Sequence, residues 1–442
     1  MRNFMKYKFT PTSWFSLTPW FILFVVFWTT INTTFKKDYK SGIIESDAKG
    51  YYAYLPAFFI YHDLNFRFFY KIERVDYYNP TLYYQFLRVE NNKTINKYYV
   101  GTAICLTPFF LAGHVITLIK GYPTDGYSYY YTMMTHLGAL FYLLLVMLGL
   151  RKLLRAYDVG EKEISITLLA IVFGTNLFYY VVTEFAMSHV YSFAAIVWFS
   201  YAIKGYFLSF KSKYLFYSAL LLGLIALIRP VNLLVVLAIP FLVGNPSQLL
   251  LGLKSLVKKP WVLLASILSF FLIASIQFLI YKHSTGNFFV YSYQDEGFNF
   301  LNPQISDFLF SYRKGMFVYT PMLFLSISGF VFLFRENRFQ FYTLTAFLLV
   351  LVYVFSSWHM WFYGGSFSQR PMIEFYAFFA IPLAIAIQKL RRPNLRKLFI
   401  GIIALLIIVS QIQTYQYRRA HIHWSDMTKE KYWDVFMRVD RF

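Results

Sequence analysis

Apolar runs near 20 residues, the length needed to cross a bilayer, recur along this chain with short polar loops between them. They cover residues 15–35, 128–150, 163–182, 189–210, 214–228, 261–281, 316–334, 339–358, 372–388 and 398–414. Residues 231–244 are shorter but equally apolar, and predict a tilted crossing or one with a flanking interfacial turn. The pattern predicts an all-α polytopic membrane protein with about 11 transmembrane helices, in a range of roughly 10–13.

The loops carry the orientation. Basic clusters stand at Arg151, Lys152 and Arg155, at Lys211 and Lys213, and at Lys254, Lys258 and Lys259. Further ones stand at Arg335 and Arg338, and at Lys389, Arg391, Arg392, Arg396 and Lys397. If the runs alternate, all of them share one side with the basic N-terminus, and basic loops favour the cytoplasm. Residues 100–119 would break that parity if they crossed. Pro108 interrupts them, and Cys105 and His114 lie within them, so they are expected to be re-entrant or to lie along the surface. The expected layout is one transmembrane domain, 1–414. It has a large first outer loop at 36–127, carrying interfacial or re-entrant segments, a second at 282–315, and an outward C-terminal tail at 415–442.

Composition agrees. The chain is 58% hydrophobic and 14% charged, with mean hydropathy +0.47, far too apolar for a soluble protein of this length. Aromatics reach 22%, as large membrane–water surfaces or an aromatic-lined site require; a coding bias toward Phe and Tyr accounts for the figure equally well. A net charge of +21 suggests nucleic acid in a soluble protein. Here it belongs to cytoplasmic loops and to anionic lipid partners, and no nucleic acid is expected. The single cysteine excludes an intramolecular disulfide and a Cys-based metal site. The basic N-terminus and first apolar run, with no small-residue cleavage site, read as a retained signal anchor. No Walker or Gly-rich nucleotide loop is present.

Candidate chemistry sits at the outward loops. Glu45 and Asp47 follow the first apolar run, before Gly50-Tyr51-Tyr52-Ala-Tyr-Leu-Pro56. A carboxylate there suits a general base that deprotonates an acceptor hydroxyl; its bland alternative is a solvated loop residue. Glu184 and Ser188-His189 mark the next outward turn, where Ser188 suits a helix cap and His189 a contact to a phosphate or sugar hydroxyl. Arg229-Pro230 ends an apolar run, where arginine either snorkels to headgroups or forks onto a phosphate. The stretch Trp358-His359-Met-Trp361-Phe-Tyr-Gly364-Gly365-Ser-Phe-Ser-Gln369-Arg370 joins two stacking indoles to a glycine turn with free backbone donors. Arg370 then opens a helix, against the macrodipole, so an anion or Glu374 must answer it. Lys314 and Tyr319 occupy a similar turn, Lys314 being either a phosphate contact or a solvated lysine. His421 and His423 lack the further ligands a metal needs.

An acidic residue followed by Tyr-Tyr in the first outer loop resembles the GT-C glycosyltransferases. Outward Glu184-x-x-x-Ser188-His189, Leu-x-Arg229-Pro230 and Trp358-x-x-Trp361-x-x-Gly364-Gly365 through Arg370 are similar in flavour. They resemble the protein mannosyltransferase and lipid A aminoarabinose transferase branches, and uncharacterised bacterial proteins of that kind. The resemblance touches most of the chain through short motifs. It implies transfer of a sugar from a polyprenyl-phosphate-linked donor to a glycan, lipid or protein acceptor on the outer face of a bacterial cytoplasmic membrane. In that scheme Asp47, or Glu45, is the base. Arg229, Arg370, Lys314 and His189 hold the carrier phosphate or donor. Tyr51, Tyr52, Glu184, Trp358, His359, Trp361, Gly364, Gly365, Gln369 and Tyr319 line the sugar or acceptor pocket. No cofactor is firmly implied, and a divalent metal stays open though no motif supports one; a lipid phosphate leaves without a second carboxylic acid, so one base suffices for inversion. Alternatives are a transporter or lipid flippase, which would show repeats and midplane ionisable groups, and a surface-polysaccharide polymerase or ligase.

Overall fold

A computed structural model describes residues 14–35, 44, 46–77, 86–90 and 93–440. Among the described residues the secondary structure is helical apart from one β-hairpin. Its main helices are α1 (Thr18–Thr30), α2 (Asp47–Phe59), α3 (Gly101–Lys120), α4 (Tyr129–Arg155), α5 (Glu161–Phe173), α6 (Leu177–Val182) and α7 (His189–Ser209). They continue with α8 (Ser212–Ile228), α9 (Pro246–Val257), α10 (Pro260–Thr285), α11 (Arg338–Ser356), α12 (Ala377–Lys389) and α13 (Pro393–Arg418). Shorter helical turns are given by residue number. Among the described residues, six helices are long and apolar enough to cross a membrane, or seven if the bent pair Pro230–Val243 and Pro246–Val257 counts as one span.

That count is below the expected 11 in part because several runs that read as one helix are broken; others, such as Ser212–Ile228, are continuous but short. The run at 163–182 is interrupted between α5 and α6, where Thr175 bonds back to Ile171 O and the Asn176 amide donates to Phe367 O at 2.7 Å. The run at 316–334 splits into Met316–Tyr319, Pro321–Ser326 and Phe330–Glu336, with Pro321 opening the second piece. The run at 372–388 starts as a 3-10 turn, Arg370–Phe375. In each case hydropathy is continuous while the backbone is not, since neighbouring polar groups satisfy the released carbonyls and amides.

The strands β1 (Leu87–Glu90) and β2 (Lys93–Asn96) pair antiparallel, Leu87 opposite Asn96. They lie in the polar middle of the first outer loop. Helix α3, expected to be re-entrant or to lie along the surface, runs unbroken through Pro108 for 20 residues and is long and apolar enough to cross. It begins beside Ile228 and Gln277, where Val100 N donates to Gln277 Oε1 at 2.9 Å. It then lies antiparallel to α4, the Tyr142 hydroxyl reaching Cys105 O. At its start, a Cβ on Gly101 would lie 2.4 Å from the backbone of Leu227 and Ile228, so only glycine allows α3 this close to the end of α8.

The basic loops gather at one end of the bundle. Arg151 pairs with Glu161, Arg396 with Glu163, and Lys389 with Glu336. Lys204 lies over the Tyr157 ring and donates to Leu242 O, and Lys259 donates to Phe210 O. Helices α7, α8 and α12 each have one terminus there. Their other termini, at His189, Ile228 and Ala377, lie about 20–30 Å away by helix rise; His189 and Ile228 line a cavity, and Ala377 follows the turn that opens with Arg370.

Candidate active site

The cavity has a volume near 570 Å³ and is bounded by the starts of α2 and α7, the end of α8, the hairpin, and the loops around 291–298 and 358–370. Each element delivers its side chain for a local reason. Pro230 forces the preceding residue into an extended conformation, so α8 stops and Arg229 stands at its C-terminal end, where the dipole favours a cation. Asp47 is the first residue of α2 rather than a loop residue, and a carboxylate is favoured at that terminus. Ser46 before it holds φ +54°, a left-handed conformation costly for a residue with a side chain.

Two ion pairs meet at the cavity. Arg370 Nη2 donates to Asp47 Oδ2 at 2.5 Å. Arg229 Nη1 donates to Glu374 Oε1 at 2.7 Å, and His189 Nδ1 lies 2.9 Å from the same oxygen. Asn232 donates to the other oxygen of Glu374 and to Ser192 Oγ. Glu374 is fully buried, so these partners are what make its charge tolerable. The sequence offers Glu374 as a partner for Arg370; the structure gives Glu374 to Arg229 and His189 instead, and gives Arg370 to Asp47.

Nearer the hairpin, Glu296 takes Lys97 Nζ at 2.6 Å and Arg88 Nη2 at 2.9 Å, with His359 Nε2 at 3.8 Å. The loop bearing Glu296 is strapped down by Ser292 Oγ donating to Lys97 O and by His359 N donating to Gly297 O. Among the described lining residues, Arg88, Lys97, Arg229 and Arg370 carry positive charge and Asp47 and Glu296 negative. Much of the remaining wall is aromatic, with Ile228, Val231 and Met360 among the rest. Trp358 packs edge-on against Phe298 and Tyr293, Tyr51 lies 4.6 Å from Tyr98, and Tyr363 and Trp424 complete it. Gly364 turns at φ +61°, bringing the 364–365 backbone to the cavity edge.

The structure therefore brings Asp47, Tyr51, His189, Arg229, Trp358, His359, Gly364, Gly365 and Arg370 to one cavity. It does not bring the others there. The Tyr52 hydroxyl donates to Gly126 O at 2.6 Å, a structural contact that ties α2 to the turn before α4. Glu184 lies beside the Tyr179 hydroxyl, and Tyr319 donates to Tyr312 O. Trp361 packs on Phe362, and Gln369 is buried with its amide atoms unpartnered. Lys314 is not solvated: it is 1% exposed, its ammonium 4.9 Å from the Tyr417 ring centre. Burial, with Arg313 and Arg370 adding, pushes its pKa down to about 7. Glu45 lies outside the described residues. His423 Nδ1 accepts from the Ser425 and Asp426 amides, closing a turn, and no group of three metal-type side chains gathers among the described residues. Sequence reasoning passed over Lys97, Arg88 and Glu296; the alternating Leu-Arg-Val-Glu and Lys-Thr-Ile-Asn segments were the available signal for the hairpin that presents the first two.

No family model and no curated protein matches this chain. A solved structure, the archaeal oligosaccharyltransferase from Archaeoglobus fulgidus in complex with an inhibitory peptide and a dolichol-phosphate, is similar at 12% identity and TM-score 0.47. The similarity covers 96% of this chain and 58% of that one, so this chain spans little more than half its length. So slight a likeness carries no argument about activity, and the functional reading rests on the cavity.

Proposed function

We propose that this chain is a membrane glycosyltransferase of GT-C type. It takes a sugar from a polyprenyl-phosphate-linked donor at the outer face of the bacterial cytoplasmic membrane. The observation that supports it is the meeting of Asp47, Arg229 and Arg370 in one cavity with an aromatic wall, at the end of the bundle remote from the basic loops. Arginines at headgroup depth fit a lipid phosphate, and flat rings fit a sugar face.

In this reading an acceptor hydroxyl gives its proton to Asp47, and its oxygen attacks the anomeric carbon. The bond from that carbon to the phosphate oxygen breaks, and the electron pair leaves with the polyprenyl phosphate. One displacement inverts the anomeric centre. Arg229 stabilises charge on the leaving phosphate with the N–H groups that Glu374 does not occupy. Arg370 already holds Asp47 through Nη2, so its part is to orient the base and to share its remaining donors with the phosphate. His189 and the pocket residues that line the cavity complete the proposed set, while Lys314 lies buried off the cavity against Tyr417; the acceptor is a glycan, lipid or protein.

The test is release of polyprenyl phosphate by the purified chain in proteoliposomes supplied with a panel of polyprenyl-phosphate monosaccharides and outer-face membrane extract. Release with transfer of label supports the reading. Translocation of the lipid across the bilayer without release favours a flippase and overturns it.

A further inference from the structure

At the end of the molecule opposite the cavity, α9 follows a bend of 120° after residues 230–243, so it turns across the direction of its predecessor. Asn245 caps it, its side chain accepting from the Ser247 and Gln248 amides. Gly252 is buried against Phe207, the Tyr206 hydroxyl donates to Gly252 O, and Gln248 donates to Phe207 O, so one face is fixed to α7. The opposite side is uncovered. Leu250, Leu253 and Val257 form an exposed apolar stripe at three- and four-residue spacing, and Val257 is 77% exposed. Lys254 and Lys258 form the adjoining stripe, with Lys259 and the exposed Trp261 just beyond. Lys259 donates to Phe210 O, which brings the Lys211 and Lys213 turn alongside. No Asp or Glu occurs between Glu184 and Asp295, and the nearby Glu336 is paired with Lys389.

We propose that α9 is an in-plane helix that binds anionic phospholipid headgroups. Its apolar stripe enters the acyl boundary, and Lys254, Lys258 and Lys259, with Lys211 and Lys213 beside them, hold the headgroup phosphates. The occupant is a lipid rather than a protein because exposed leucines, Leu251 among them, flank lysines that no carboxylate of the same stretch answers. The inference is independent of any glycosyl transfer.

The experiment places one fluorophore at Val257→Cys in a Cys105→Ser background of the full chain. The protein is reconstituted in phosphatidylcholine bilayers containing one-tenth brominated phosphatidylglycerol or one-tenth brominated phosphatidylcholine. Phosphatidylglycerol is expected to quench at least about twofold more, given several lysines each favouring an anionic surface. The excess should vanish in the exposed Lys254→Gln, Lys258→Gln, Lys259→Gln variant and shrink in molar salt. A label at Leu301→Cys, on the cavity side, should show no preference. Equal quenching by the two lipids in the unaltered lysine background, or an excess that survives loss of the three lysines, overturns the proposal.

Discussion

Asp47 and Arg370 find each other across 323 residues of chain, and their pairing sets the terms for substitution at either one. Asp47→Asn keeps the shape of the side chain and a hydrogen-bond acceptor for Arg370, so the protein should fold while transfer falls about 10²–10⁴-fold. Polyprenyl-phosphate release by the purified variant checks this, and retention of most activity removes Asp47 from the base role. Arg229 behaves differently because Glu374 behind it is buried. Arg229→Lys should weaken donor binding less than Arg229→Ala, whose loss is expected at roughly ten- to a hundredfold. Arg229→Ala also strands the Glu374 charge, so adding Glu374→Gln should restore thermal stability without restoring donor affinity. Snorkelling alone would leave affinity unchanged in all three. Lys314 gives a pH signature. Its pKa is lowered on folding, so the unfolded chain binds more protons between about pH 7 and the ordinary lysine pKa near 10.4. Stability therefore rises with pH through that window and is lower below it. Lys314→Met should flatten the rise in melting temperature between pH 7 and 9, and an unchanged slope would show that the amine stays charged. Asp47, Arg229 and Arg370 were legible as candidates because an ionisable residue ending an apolar run is conspicuous. Glu374 was not legible as the holder of Arg229, because pairing across the bundle leaves no local mark in sequence.

Helix existence was legible wherever an apolar run was long, and helix continuity was not. Residues 163–182 and 316–334 keep their hydropathy through breaks made by Thr175, Asn176 and Pro321, since membrane-depth backbone is satisfied by neighbours that sequence spacing does not reveal. The hairpin was missed for the reverse reason: four-residue strands in a polar, aromatic loop give too short an alternation to stand out. Helix α3 offers the sharpest test at this scale. It runs antiparallel to α4, and α4 ends among the basic loops, so the Lys120 end of α3 is expected on the outer face. With Cys105 replaced, single cysteines at Lys120 and Leu301 should react alike with an impermeant maleimide added to intact cells. Labelling of one with protection of the other would make α3 a crossing.

Across the whole molecule, charge and aromatic content are segregated along the bundle. Basic loops hold one end through pairs such as Arg151–Glu161 and Lys389–Glu336, while the cavity opens at the other. Composition made the membrane location legible, and the basic loops made a polarity legible, but neither could show that segments 323 residues apart close on a common volume. The orientation predicted from that polarity is that Leu301→Cys labels from outside intact cells and Val257→Cys only after permeabilisation. The opposite result would place the cavity in the cytoplasm and turn attention to cytoplasmic donors. A last consequence comes from the missing side chain at Gly101. The backbone of Leu227 and Ile228 sits where its Cβ would be, one residue before Arg229. A single added methyl group must lever the end of α8 aside, and the guanidinium rides on that lever. Gly101→Ala is therefore expected to mimic Arg229→Ala in donor affinity from outside the cavity. A random mutational scan for lost activity should score this glycine beside the charged residues, as a spacer whose emptiness fixes the reach of an arginine.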